Sequence, residues 1–162
     1  MVSLKANNQA IVISFQRRIF LFSDSVIPKD LINAYLETEY RVLGEMPFTI
    51  QVGRMSSDLL EGHKRHKVEC STFVTAWNPY SQQVNDAKNR ELQAAFAKEL
   101  TNRGLHFVEG IGQHPSGQWA GEESYLIFGL TLEAAKVLGT TLEQNAIIWS
   151  GADGTPQLIL LK

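Results

Sequence analysis

Three asparagines lie close together in the stretch FVTAWNPYSQQVNDAKNRELQ, and their side chains could bind a polar ligand. Asn78 follows an apolar, strand-like run, whereas Asn85 and Asn89 are four residues apart at the start of a helical pattern. A spacing of four places two side chains on one face of a helix. Because an amide both donates and accepts hydrogen bonds, the three side chains could together recognise a base, a ribose or another amide.

The two helix residues also have a purely structural explanation. Asn85 could cap the helix, and Asn89 could hold the preceding loop through hydrogen bonds to the backbone. In the ligand-binding alternative, the helix extends one turn beyond the carboxyl edge of the sheet and becomes the wall of a pocket. Strand ends and helix N-termini commonly form ligand sites in sheets with crossover helices. The sequence leaves both alternatives open.

A second polar group, Glu122 to Ser124, precedes the apolar run YLIF. Glu123 is the candidate catalytic residue, as a general acid or base or as an acceptor for a ribose hydroxyl. A solvated loop charge is the alternative. Ser124 is a candidate ligand contact but not a nucleophile, because no G-x-S-x-G motif surrounds it. The other candidate ligand contacts are Gln144, Tyr35 and Tyr40, and the two tyrosines could equally be packing residues with a polar end.

The basic run GHKRHK at residues 62–67 does not predict a metal site. His63 and His66 are three residues apart and lack the acidic partner of a zinc-protease motif. A helix C-terminus rich in basic residues explains the run, and a local phosphate-binding patch is the alternative. No P-loop or dinucleotide-binding motif is present, so no cofactor is predicted. The net charge of −2 disfavours nucleic acid as a partner.

The 162 residues are enough for one domain with its own core. The single cysteine, Cys70, excludes an intrachain disulfide and predicts a cytoplasmic location. The apolar run near residues 10–15 is too short for a secretory signal or a membrane span, so no membrane partner is predicted. We expect residues 1–27 to form a strand-like extension packed on a single domain of residues 28–162.

Strand and helix patterns alternate along the chain, but several neighbouring strands are joined by short turns. Helices are predicted from a cap at Asp24 or Ser25, from Ser56 or Ser57, over residues 86–103 and from Thr131. The pattern predicts an α/β fold of α+β-like character, with a single mixed β-sheet covered by helices and a C-terminal β-hairpin.

The stretches AYLETEYRV, FVTAWNPYSQ, NRELQAAFAKELTNRGL, EESYLIFGLTLEAAKVLG and QNAIIWSGADGTPQLILL resemble a bacterial family of uncharacterised small proteins of the DUF3293 type. The resemblance covers about residues 31–161, and the TAWNP and QNAIIW runs are its most specific parts. It implies no assigned activity. The polar positions that it matches are Tyr35, Tyr40, Asn78, Asn89, Glu123, Ser124 and Gln144. Residues before about Pro28 depart from the family pattern.

The function predicted from these residues is the binding of a small polar, nucleotide-like molecule at the carboxyl edge of the sheet. The alternative is a non-catalytic protein-interaction or regulatory module, indicated by the strand-rich start of the chain and by Trp119 and Tyr80 as surface aromatics. The sequence identifies no protein partner, no reaction type and no nucleophile, so it leaves open whether the protein is an enzyme.

Overall fold

The computed structural model describes residues 25–162. The apolar run near residues 10–15 and most of the predicted extension of residues 1–27 lie outside the described residues. The described chain has four helices: α1 (Lys29–Glu37), α2 (Ser57–His66), α3 (Asp86–Asn102) and α4 (Leu132–Thr141). Its strands are β1 (Glu39–Val42), β2 (Phe48–Ile50), β3 (Ser71–Val74), β4 (Phe107–Gln113), β5 (Glu122–Phe128), β6 (Ala146–Ser150) and β7 (Gln157–Leu160).

The described strands form one curled sheet in the order β2-β1-β4-β5-β3-β6-β7. The predicted α/β class and the C-terminal hairpin of β6 and β7 are confirmed. Every strand pair of the described sheet is antiparallel. The parallel pairs that a mixed sheet implies are therefore not found among these strands.

The connections of the central strands explain this arrangement. Helix α3 connects β3 to β4, but β5 lies between these two strands. Helix α4 connects β5 to β6, and β3 lies between them. Each helix thus joins two strands of the same direction with one opposed strand inserted between them. The segment from β3 to β6 is therefore a split βαβ arrangement with the strand order of a ferredoxin-like fold.

Each face of the sheet has its own apolar core. Ile32 of α1 and Leu59 of α2 pack with Phe73, Leu126 and Ile148 on one face. On the other face, α3 and α4 contribute residues that pack against the alternate side chains of the same strands: Phe96, Leu100, Ala135 and Leu138, against Val74, Tyr125, Ile127 and Ile147. Successive strand residues point to opposite faces, so each central strand supplies both cores.

Local sequence signals set most helix boundaries. The hydroxyl oxygen of Ser56 accepts a hydrogen bond from the Leu59 N–H, and that of Thr131 accepts one from the Ala134 N–H, as N-caps do. Helix α1 begins later than the predicted cap at Ser25, after Pro28. The Ser25 hydroxyl instead donates to the Lys162 carbonyl at 2.7 Å, so a contact from the far end of the chain replaces the cap.

Strand β5 begins at Glu122, three residues before the predicted apolar run. Glu122, Glu123 and Ser124 are therefore strand residues, paired with Gly112, Ile111 and Gly110 of β4. Within residues 25–162, no helix combines the length and the apolar character needed to cross a membrane.

Candidate functional site

One end of the sheet gathers polar residues from distant parts of the sequence. Because neighbouring strands run in opposite directions, the end of β3 lies beside the starts of β5 and β6. The starts of β5 and β1 likewise lie beside the end of β4. A cavity of about 740 Å³ opens at this rim, between the sheet, helix α1, the loop after β3 and the loop between β4 and β5.

Asn78 and Asn89 are joined by two hydrogen bonds in the wall of the cavity. The Asn89 carboxamide oxygen accepts the backbone N–H of Asn78 at 2.8 Å, and its Nδ2 donates to Oδ1 of Asn78 at 3.0 Å. The same Nδ2 donates to the Val84 carbonyl at 3.3 Å, and Val84 N–H donates to the Asn78 side chain. Asn89 is only 1% exposed, so this buried amide ties both ends of the loop from Asn78 to Val84 to helix α3.

The loop after β3 holds three non-glycine residues in the left-handed region. Asn78, Tyr80 and Ser81 have φ values of 46°, 53° and 56°. Such conformations cost free energy and persist only where surrounding contacts hold them, often at binding sites. Here the contacts are Asn89 on Asn78 and the Glu143 carbonyl, which accepts the Tyr80 N–H at 2.6 Å. The rim of the cavity is thus built from strained but well-anchored backbone.

Glu122 is a half-buried acid in the lining of the cavity. Its Oε1 accepts a hydrogen bond from Nδ2 of Asn78 at 2.8 Å. Among the residues that the structure describes, no side chain or N–H donates to Oε2, and Glu122 is one of the residues that line the cavity. Burial raises the pKa of Glu122 above its ordinary value, and the Asn78 hydrogen bond offsets part of that rise. The carboxyl group therefore has one oxygen bound to Asn78 and one oxygen without a donor among the described residues.

Aromatic side chains line the rest of the cavity. Tyr35, Tyr40 and Phe73 lie on the α1 side, and the Tyr40 hydroxyl donates to the Tyr35 carbonyl at 2.6 Å. Trp77, which precedes Asn78 in the chain, is buried and lines the cavity. Trp119 lies on the loop between β4 and β5 and remains 54% exposed at the opening. The cavity thus combines flat apolar surfaces with a few fixed polar groups, as small-molecule sites do.

Most of the residues predicted from the sequence line this cavity: Asn78, Asn89, Ser124, Gln144, Tyr35 and Tyr40. Asn85 does not. It is the N-cap of α3, and its Oδ1 accepts the Lys88 N–H at 2.8 Å. Glu123 does not line the cavity either, because its exposed side chain points to the opposite face of β5 from Glu122 and Ser124.

Glu122 was not among the candidate site residues predicted from the sequence, although a signal for it was present. Ser124, Leu126 and Phe128 share one face of β5, and the period of two places Glu122 on that face too. Ser124 and Glu123 are adjacent in the strand and cannot both face one cavity. Trp77 and the small residue Gly112, which leaves room beside Tyr40, were also not predicted as cavity residues.

The basic run at residues 62–67 lies away from the cavity, at the end of α2. Nε2 of His63 is 2.8 Å from the Ser71 hydroxyl, and the ring is buried. The His66 ring stacks on Phe128 with centroids 4.3 Å apart. Burial lowers the pKa of both histidines. Among the described residues, no three His, Cys, Asp or Glu side chains are grouped as metal ligands would be.

Replacement of Glu122 by glutamine should make the protein more stable at neutral pH than the wild type. Glutamine keeps the acceptor for Asn78 but removes the half-buried charge. Burial raises the folded-state pKa of Glu122, so ionising this carboxyl group costs more free energy in the folded protein than in the unfolded chain. The contribution of Glu122 to stability is therefore complete below the ordinary pKa of 4.5 and is lost as the pH rises through the folded-state pKa. The stability advantage of Glu122→Gln should therefore grow with pH, which urea unfolding across a pH series would measure.

Glu123→Gln is the matched control, since it is the same substitution one residue along on the other face. Its unfolding free energy should follow that of the wild type across the same pH series. An advantage of Glu122→Gln that stays constant or shrinks between acid and neutral pH would contradict the proposed burial of this carboxyl group.

Fold and site together define a ferredoxin-like split βαβ domain that is enlarged by strands at both edges and has a cavity at one end of its sheet. Residues 74–147, from the last residue of β3 to β6, match the family described as "Protein of unknown function (DUF3293)". The resemblance to this family is thus confirmed over the split βαβ segment, which contains Asn78, Asn89 and Glu122. No curated protein and no solved structure matches the chain.

Proposed function

We propose that this protein binds a small polar organic molecule in the cavity at the rim of its sheet. The observation that supports the proposal is the cavity itself, whose volume of about 740 Å³ lies in the range of roughly 300–1,000 Å³ usual for small-molecule sites. A bacterial cytoplasm, which the family resemblance and the single cysteine predict, is the setting that we infer for this binding.

The polar groups in the cavity are few and are held in place by hydrogen bonds, which favours specific over non-specific binding. Asn78 is fixed by Asn89 and in turn fixes Glu122, so neither side chain must be ordered when the ligand arrives. Binding to groups that are already ordered costs less conformational entropy. Gln144 adds a third anchored amide, whose Nε2 donates to the Trp77 carbonyl at 3.2 Å.

The alternative function, a protein-interaction module, has less support. Trp119 borders the cavity, which gives its exposure a reason that needs no protein partner. The Tyr80 ring is covered by the Lys162 ammonium group, which lies 3.4 Å from its centroid. Both surface aromatics that favoured this alternative therefore have explanations within the chain.

Filling the cavity should abolish binding without changing any polar group. A Cβ atom added at Gly112 would lie 3.8 Å from Thr38 and 3.9 Å from Tyr40, so the strand accepts a side chain there. In Gly112→Leu, that side chain would occupy the cavity. We expect members of a panel of nucleosides, nucleotides, amino acids and amines to raise the melting temperature of the wild type but not of Gly112→Leu.

Thr49→Leu is the control, because it introduces the same side chain at an exposed position of β2 that does not line the cavity. This variant should respond to the panel as the wild type does. The proposal is wrong if no compound raises the melting temperature of the wild type. It is also wrong if the compounds that do so act equally on a folded Gly112→Leu variant.

A further inference from the structure

Glu122 lies in the cavity without a positively charged partner. The ion pairs of the described residues are surface pairs such as Arg41 with Glu39, and none includes Glu122. A half-buried carboxylate such as that of Glu122 has lost part of its water, which is costly unless a cation or several hydrogen bonds compensate for it. Asn78 supplies one hydrogen bond, to Oε1 only. Among the described residues, the negative charge of Glu122 therefore has no cationic partner, and Oε2 has no hydrogen-bond donor.

The rest of the described cavity lining adds negative charge and supplies no lysine or arginine. Asp30 of α1 and Asp86 of α3 line the cavity near its opening. His114, the remaining basic side chain of the lining, is already engaged, because its Nε2 lies 3.1 Å from Glu37 and its Nδ1 lies 2.8 Å from Ser116. A concave site lined by one sign of charge attracts ligands of the opposite sign.

The aromatic lining favours the same kind of ligand. The faces of tyrosine and tryptophan rings attract cations, above all when water is excluded. Tyr35, Tyr40 and Trp77 line the interior, and Trp119 lies at the opening. Aromatic rings around a carboxylate are a combination that recognises organic ammonium groups, since the rings hold the substituents and the carboxylate neutralises the charge.

We propose that the ligand of this cavity is an organic cation, either an amine or a quaternary ammonium compound, with Glu122 as its counter-ion and the tyrosine and tryptophan side chains around it. This inference rests on the proposed function and narrows its ligand class. Phosphorylated molecules, including the nucleotides considered from the sequence, are disfavoured because three carboxyl side chains would face the phosphate.

Binding of a cation should release protons from Glu122. Burial raises the pKa of this carboxyl group in the empty site, and a cation beside it would lower that pKa again. The apparent affinity should thus increase as the pH rises from the ordinary pKa of 4.5 through the raised pKa of Glu122 in the empty site. The other titratable side chains that line the cavity are Asp30, Tyr35, Tyr40, Asp86 and His114.

A pair of compounds of equal shape isolates the effect of charge. Choline and 3,3-dimethyl-1-butanol differ in that a carbon atom replaces the charged nitrogen. Isothermal titration calorimetry of the wild type with choline, agmatine, 3,3-dimethyl-1-butanol and adenosine would compare two cations with two uncharged molecules. We expect at least one cation to bind, and choline, where it binds, to do so about tenfold or more tightly than its uncharged counterpart.

Two substitutions, Glu122→Gln and Glu123→Gln, test the role of the carboxyl group. Glu122→Gln should weaken cation binding about tenfold or more, and it should abolish proton release, measured as the dependence of binding heat on the buffer's ionisation enthalpy. Glu123→Gln removes a charge of the same sign one residue away, on the opposite face. This variant should retain both the affinity and the proton release of the wild type.

The outcomes separate this inference from the proposed function. If an uncharged compound binds and neither cation does, the cavity binds ligands but not cations, and only this inference is overturned. If a cation binds equally well to Glu122→Gln and the wild type, the carboxylate is not its counter-ion, and the inference is again overturned. If none of the four compounds binds and the wider panel also fails, both proposals are wrong.

Discussion

Alanine in place of Asn89 should lower the free energy of unfolding by about 3 kcal/mol. The substitution removes the acceptor for the Asn78 N–H and the donor to the Val84 carbonyl, and each buried group left without a partner costs roughly 1–3 kcal/mol. It also removes the contact that holds Asn78 at a positive φ. Urea unfolding followed by circular dichroism would measure the change.

Asn85→Ala is the matched control for this experiment, because it makes the same substitution four residues earlier on the same helix. Asn85 caps α3 through a single exposed hydrogen bond to the Lys88 N–H, so its loss should cost about 1 kcal/mol. Equal losses for the two variants would mean that Asn89 does no more than an ordinary helix cap. The network around the cavity would then need another explanation.

Alanine in place of Gly110 should destabilise the protein by about 2–3 kcal/mol, although the position lies in the middle of a strand. A Cβ atom there would lie 2.5 Å from Cε2 of Phe73 and 2.8 Å from the Arg41 carbonyl oxygen. The carbonyl belongs to the paired strand β1 and cannot move without breaking the ladder. Phe73 would have to move instead, and its edge-to-face contact with Tyr40 would be lost.

Gly112→Ala provides the comparison for Gly110→Ala, since both glycines lie on the same strand and the same face. At Gly112 the nearest atoms to an added Cβ are 3.8 Å and 3.9 Å away, which is ordinary van der Waals contact. This variant should therefore be as stable as the wild type or slightly more stable, because alanine has less backbone freedom to lose on folding. A similar loss for both variants would contradict the proposed packing of Phe73 against β4.

The Asn89→Ala and Gly110→Ala experiments both test contacts that shape the cavity. Asn89 anchors the loop that forms one wall of the cavity, and Gly110 allows Phe73 and Tyr40 to form its floor. If both results agree with expectation, contacts within the protein keep the cavity in shape when no ligand is bound. A preformed site of this kind would let Glu122 discriminate between charged and uncharged ligands without a large rearrangement.

The sequence by itself determined the features that depend on residues a few positions apart. The cap residues Ser56 and Thr131 mark their helices, because each bonds an N–H only three residues away. The alternation of strand and helix patterns along the sequence also indicated the α/β class and the terminal hairpin. For Asn85 and Asn89, the four-residue spacing placed both side chains near the start of α3, but it could not assign their partners.

The tertiary structure alone decided which of these side chains meet. Asn78 and Glu122 are 44 residues apart, and they touch because β5 pairs in opposite direction with β3. A sheet with parallel neighbours would have brought different strand ends to this rim. The strand that begins at Glu122 also determines that Glu122, and not Glu123, faces the cavity. Successive residues of a strand point to opposite faces of the sheet. Pairing direction and register are set by contacts across the whole sheet, so no local pattern could have fixed them.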